Sequence, residues 1–172
     1  MLDTVTRYIN ALTNPRDQLW FRALLRPLAD RYSTQSLRTA GLVITATSGT
    51  KVPKVGSADY YGIANGVLVT LAAATDMPAL AGTVVNATFN VFCFFIDSAS
   101  TVTSAMGTAG ATLADVKFPP FPENKALVGF IIINPTGTGD FVGDTTALGD
   151  ATVVPNTVYV SPIGPFDPSV LL

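Results

Sequence analysis

The chain has 172 residues, room for one sizeable core but tight for two full domains. Charged residues make up 13%, about half the globular norm of ~25%, and the mean hydropathy is +0.42. There is no histidine, one cysteine (Cys93) and one glutamate (Glu123), which excludes Ser-His-Asp catalysis, the commonest metal ligand, an internal disulfide and any cysteine-based metal cluster.

Charge divides the chain in two. All six arginines fall at or before Arg38 and face only Asp3, Asp17 and Asp30 over residues 1–40, net +3. The remainder sets Lys51, Lys54, Lys117 and Lys125 against nine acids, net −5. Hydropathy this high with so little charge implies that copies of the chain cover one another, because small domains have much surface for their volume. It does not imply a membrane: the most apolar runs, Val91–Ile96 and Leu127–Ile133, fall far short of the ~20 residues a span needs. Asp3, Thr4, Thr6 and Asn10 interrupt residues 1–15, leaving no apolar core of a secretory signal.

In chain order, the first 40 residues read as a helical arm and linker. Leu2, Val5, Ile9 and Leu12 recur at helical spacing over residues 2–12. Asn14-Pro15 opens a second helix to Pro27, with Leu19, Trp20, Ala23, Leu24 and Leu28 along one side and Arg16, Arg22 and Arg26 at more polar positions. Such short helices are unstable alone, so Trp20 and the leucines must bury against something, a neighbouring subunit being the favoured partner. Tyr32 to Thr39 reads as a polar linker.

The body, 41–160, reads as strands. Leu42–Thr47 is the first, and Asn65-Gly66 after Asp59–Ala64, with Gly66–Leu71 as the returning strand, is the strongest hairpin signal. Further strands are expected at Thr83–Val85, Phe89–Ile96, Ala111–Val116, Ala126–Ile133, Ala151–Val154 and Thr157–Val160, with Ser98–Ser104 an edge strand or loop. Short strands punctuated by Gly and Pro describe an antiparallel β-sandwich or jelly-roll-like barrel. Phe89, Val91, Cys93 and Phe95 alternate with Phe92, Phe94 and Ile96; Leu127, Ile131 and Ile133 alternate with Val128, Phe130 and Ile132. Both faces being apolar, one should meet the opposing sheet and the other the arm or a neighbour. Residues 161–172 form an extended tail in which Phe166 can pin the chain to its body or to another copy.

Sites for chemistry are sparse. Asp140 and Asp144 lie in the glycine-rich stretch Thr136–Thr146 and, with backbone carbonyls, are candidate ligands for Ca²⁺. The loop lacks the dense oxygen spacing of an EF-hand, and aspartates that cap turns explain it as well. It has no nucleotide-binding spacing, and no cofactor is implied. Asp59, Tyr60 and Tyr61 form a possible polar-aromatic patch. Arg16, Arg22, Arg26 and Arg38 could reach phosphates, but net +3 is weak for a basic arm, and the sequence pI is 4.8. Arm arginines pairing with body aspartates between copies is the simpler account, so nucleic acid is not expected as a partner.

Gly41-Leu42-Val43-Ile44, Asp59–Val67, Asp76-Met77-Pro78-Ala79-Leu80 and Asn134–Phe141 resemble segments of structural proteins of tailed bacteriophages, over roughly residues 41–168. The resemblance implies a non-enzymatic virion subunit of capsid-decoration or head-fibre type. Its implied partners are further copies of itself (a trimer is one candidate state) and the major capsid or another virion protein. The expected assembly contacts are Leu2, Val5, Ile9, Leu12, Arg16, Leu19, Trp20, Arg22, Leu24, Arg26 and Phe166. A glycan- or host-protein-binding module of the virion is the alternative, and a tail or connector part a further one.

Overall fold

The computed structural model describes residues 18–23, 25, 32–44 and 50–166, and within them the chain is mainly strands in antiparallel sheets with very little helix. Residues 18–23 and 25 are helical. The expected 2–12 helix, with Leu2, Val5, Ile9 and Leu12, lies outside the described residues, as do Arg16, Leu24 and Arg26.

Three sheets carry the body. The first is β1 (Gln35–Ser36), β2 (Tyr60–Ala64) and β3 (Val67–Leu71), in that order. Asn65 and Gly66 both take positive φ, 51° and 77°, which is the two-residue turn whose twist suits a hairpin. β4 (Thr83–Val84) pairs with β8 (Phe141–Val142) in a small second sheet. The third sheet runs β6-β5-β7-β9, from β5 (Asn90–Ile96), β6 (Val102–Met106), β7 (Ala126–Ile133) and β9 (Val158–Val160).

The first and third sheets share one buried cluster. Tyr60, Ala64, Val69 and Leu71 meet Phe92, Phe94, Ile96, Ala126, Val128, Ile131 and Ile133, with Val84, Leu80 and Phe141 closing the side. Phe92 and Phe141 pack edge to face, ring centroids 6.0 Å apart. At the seam, Tyr60 OH and Ser36 Oγ lie 3.0 Å apart, and the Ser36 hydroxyl donates to the Leu127 carbonyl. One hydroxyl pair thus ties β1, β2 and β7 inside the core.

The other face of the third sheet is also dry, but its cover differs from expectation. Val91, Cys93, Phe95, Leu127 and Phe130 are buried beneath Val116, Phe118, Phe121 and Phe166. The chain's own proline-rich connection and tail therefore take the place expected for the arm or a neighbour. Pro119, Pro120 and Pro122 preset an extended path that brings Phe118 edge to face with Phe130 and Phe121 edge to face with Phe95.

The alternation along β7 also departs from the simple reading. Phe94 faces Gly129 but Phe95 faces Leu127, so Val128 is an extra residue and the strand is bulged. The bulge puts Val128 on the same side as Ile131 and Ile133, and Leu127 with Phe130 and Ile132. Gly129 sits at the crossing point, where a Cβ would meet Leu42 Cδ1 and the Val160 carbonyl, each at 2.7 Å.

Three expected segments take other forms. Residues 32–39, read as a linker, contain β1, because Ser36 finds two buried partners. Ala111–Val116 holds a 3-10 turn, Leu113–Asp115, since the Asp115 carboxylate accepts from Thr112 N and Thr112 Oγ1. Ala151–Val154 is turned by Asp150, whose carboxylate accepts from Thr152 N and Thr152 Oγ1. Of Leu42–Thr47, Val43 makes an isolated bridge to Lys54, and 45–49 fall outside the described residues.

Candidate interaction surfaces

An alternating strand points one set of side chains outward, and water on that face should select polar residues. The first sheet breaks this rule. Its inward set is Ser36, Tyr60, Gly62, Ala64, Val69 and Leu71, all buried, with Val67 exposed at the hairpin end. Its outward set includes Tyr61, Ile63 and Leu68, with Ile63 paired across β2–β3 to Leu68 and across β1–β2 to Gln35. Leu68 is 63% exposed and Leu37, next to the inward Ser36, is 47% exposed. Gly164 pairs with Ser36 in an antiparallel bridge, donating its amide at 2.7 Å, so the tail adds Ile163 opposite Leu37. Ile163 is 65% exposed. Four aliphatic side chains and the half-buried Tyr61 thus share one face, together with Gln35 and Thr70.

A second apolar surface lies on the helical segment. Leu19 is 68% exposed and Trp20 62%, and the Trp20 and Phe21 rings meet edge to face at 5.2 Å. Arg22 is exposed on the same turn. The chain joins the body at a fixed point, where Gly66 N donates to Ser33 O at 2.8 Å and Gln35 Nε2 donates to Tyr32 O at 3.2 Å. The arm therefore leaves the body beside the β2–β3 hairpin turn.

Phe166, expected to pin the tail to the body or to another copy, is seated on its own body. Its ring centroid lies 5.6 Å from Phe130, 5.9 Å from Phe118 and 6.4 Å from Phe121.

The glycine-rich loop is built as structure. Asp140 Oδ1 accepts from Asn86 N at 2.8 Å, and Asn86 Nδ2 donates to Gly137 O at 3.1 Å. These bonds tie the loop to the strand after β4 and extend the β4–β8 pairing. Asp144 is exposed in a left-handed turn at φ 55°. Among the described residues no third carboxylate, thiol or imidazole gathers with Asp140 and Asp144. The Asp59–Tyr61 patch is likewise absorbed: Asp59 Oδ1 accepts from Ala73 N, and Tyr60 is buried.

Burial sets the titration of the few interior groups. Desolvation pushes the Cys93 thiol up, holding it neutral and inert. It also raises Tyr60, partly opposed by the Ser36 hydrogen bond, and raises Tyr159 to about 12. Hydrogen bonds from the Thr152 side chain and backbone hold Asp150 below the usual carboxylate range. No helix among the described residues is long and apolar enough to cross a membrane.

The aliphatic row was partly legible, since Ile63 and Leu68 stand at alternate positions around the Asn65-Gly66 turn. Leu37 and Ile163 were not, because their place beside those strands depends on long-range pairing. Protein-family models, curated proteins and solved structures contain no match to this chain.

Proposed function

We propose that the chain is a non-enzymatic structural subunit of a tailed-phage virion, capsid-associated, that works as a homo-oligomer. The observation that carries the assembling role is apolar surface the single chain leaves in water, on the helical segment and on the outer face of the first sheet. Contiguous exposed apolar patches of this kind mark protein–protein contacts. The virion assignment rests on the segmental resemblance over 41–168 and on a charge-poor, strand-rich composition suited to a subunit buried among others.

We further propose that the first and third sheets stack as a β-sandwich. Support comes from the shared cluster, in which Tyr60 and Val69 of one sheet pack with Phe92 and Ile131 of the other.

Native mass measurement of the full chain is expected to give a multiple of 18.0 kDa. Antibodies to the chain are expected to label phage particles in electron micrographs of a lysate that contains it. A monomer at all concentrations would sink the assembling role, and unlabelled particles the virion assignment.

A further inference from the structure

We propose that the outer face of the β1–β2–β3 sheet is the dock for the helical segment 18–23 of a second copy of this chain. Leu19 and Trp20 of one copy cover Leu37, Ile63, Leu68 and Ile163 of the other. The inference rests on the assembling role proposed above and names the surface that performs it.

Both surfaces present exposed apolar side chains. The sheet face sets Leu37, Ile63, Leu68 and Ile163 beside the half-buried Tyr61; the helix presents Leu19 and Trp20. Among the described residues neither surface covers the other, and a second copy brings an apolar complement to each. Face-to-face pairing of two such sheets would leave Trp20 and Leu19 in water. Exchange of helices covers both surfaces at once.

The junction favours exchange as well. Ser33 is held at the hairpin turn by Gly66, and Tyr32 is tied to Gln35 of β1, so the arm joins the body at the rim of that face. In a symmetric pair or ring, an arm leaving one rim reaches the equivalent rim of its neighbour, and each copy gives one helix and receives one. Tryptophan at the centre of such a contact is the residue type that most often dominates interface energy.

Trp20 is the only tryptophan, so its emission reports the contact directly. The full-length chain is followed over a dilution series by sedimentation and by tryptophan fluorescence. The expected result is emission moving to shorter wavelength as the mass rises to a multiple of 18.0 kDa. Leu68→Glu should raise the dissociation constant about tenfold or more and return Trp20 to a water-exposed emission at the same concentration. Leu68→Thr, which suits a strand, is the second variant should the first misfold, and the same direction is expected.

The proposal is overturned if both variants associate like the parent chain, which leaves the assembling role intact. Loss of association with Trp20 emission unchanged also overturns it, because the face then pairs with something other than the helix. A parent chain that stays monomeric at every concentration overturns both this inference and the role beneath it.

Discussion

Ser36 shows how one small polar residue can fix a junction. Its hydroxyl is enclosed and bonded to Tyr60 OH and the Leu127 carbonyl, so removing it strands two buried groups rather than one. Ser36→Ala is therefore expected to destabilise the chain by about 1–3 kcal/mol in chemical denaturation. Tyr159 is the opposite case, since its buried hydroxyl has no hydrogen-bond partner among the described residues. Tyr159→Phe should stabilise by about 1 kcal/mol. The tyrosine also sets an alkaline limit. Its pKa is raised from 10.0 to about 12 on folding, so above pH 10 the unfolded chain has lost a proton the folded chain keeps. The fold's preference for the neutral phenol costs no stability below pH 10 and lowers stability as pH rises from 10 towards 12. Tyr60 shifts in the same direction. Denaturation midpoints measured through this range should fall for the parent chain and fall less for Tyr159→Phe; equal slopes would rule out Tyr159 as a cause.

Among the elements, those with strong local signals were readable in advance. The β2–β3 hairpin follows from Asn65-Gly66, and β5 and β7 from apolar runs too short for a membrane and too β-branched or aromatic for a helix. Segments where a side chain captures its own backbone were not: Asp115 and Asp150 turn stretches whose valines and threonines otherwise suit a strand. The β7 bulge was hidden for a related reason, because a continuous apolar run does not mark where the alternation slips. The cover of the second face was concealed by sequence distance, since Phe166 lies more than forty residues from Phe118 and Phe121 and reaches them beside the Ser36–Gly164 bridge. Phe166 remains half-buried, so Phe166→Ala should cost about 1–2 kcal/mol in a thermal or chemical melt. Phe92→Ala, in the fully enclosed cluster, should cost about 3–5 kcal/mol. An equal loss at both positions would mean that the tail is as integral as the core strands.

For the whole molecule, the boundary between arm and body lies earlier than charge alone places it. Arg38 is the last arginine, yet Gln35 and Ser36 already belong to the first sheet. Two truncations separate the readings. Removing residues 1–31 keeps β1 and the Ser36 bonds, and should leave a folded, β-rich body that associates poorly. Removing 1–40 takes out β1 as well and should lower stability markedly. Circular dichroism melts with sizing decide the matter, and indistinguishable melts for the two truncations would contradict the role given to Ser36. Charge did not mark the joint, because a buried hydroxyl pair leaves no trace in a count of arginines.

The Ser36–Gly164 bridge carries a topological meaning as well. It sets the start of the body beside its finish, so the path from residue 36 to residue 164 is nearly a closed circuit. Residues 36 and 164 lie one strand spacing apart, so a short linker between them would close the circuit, and a body opened instead at an exposed loop is expected to keep its pairing.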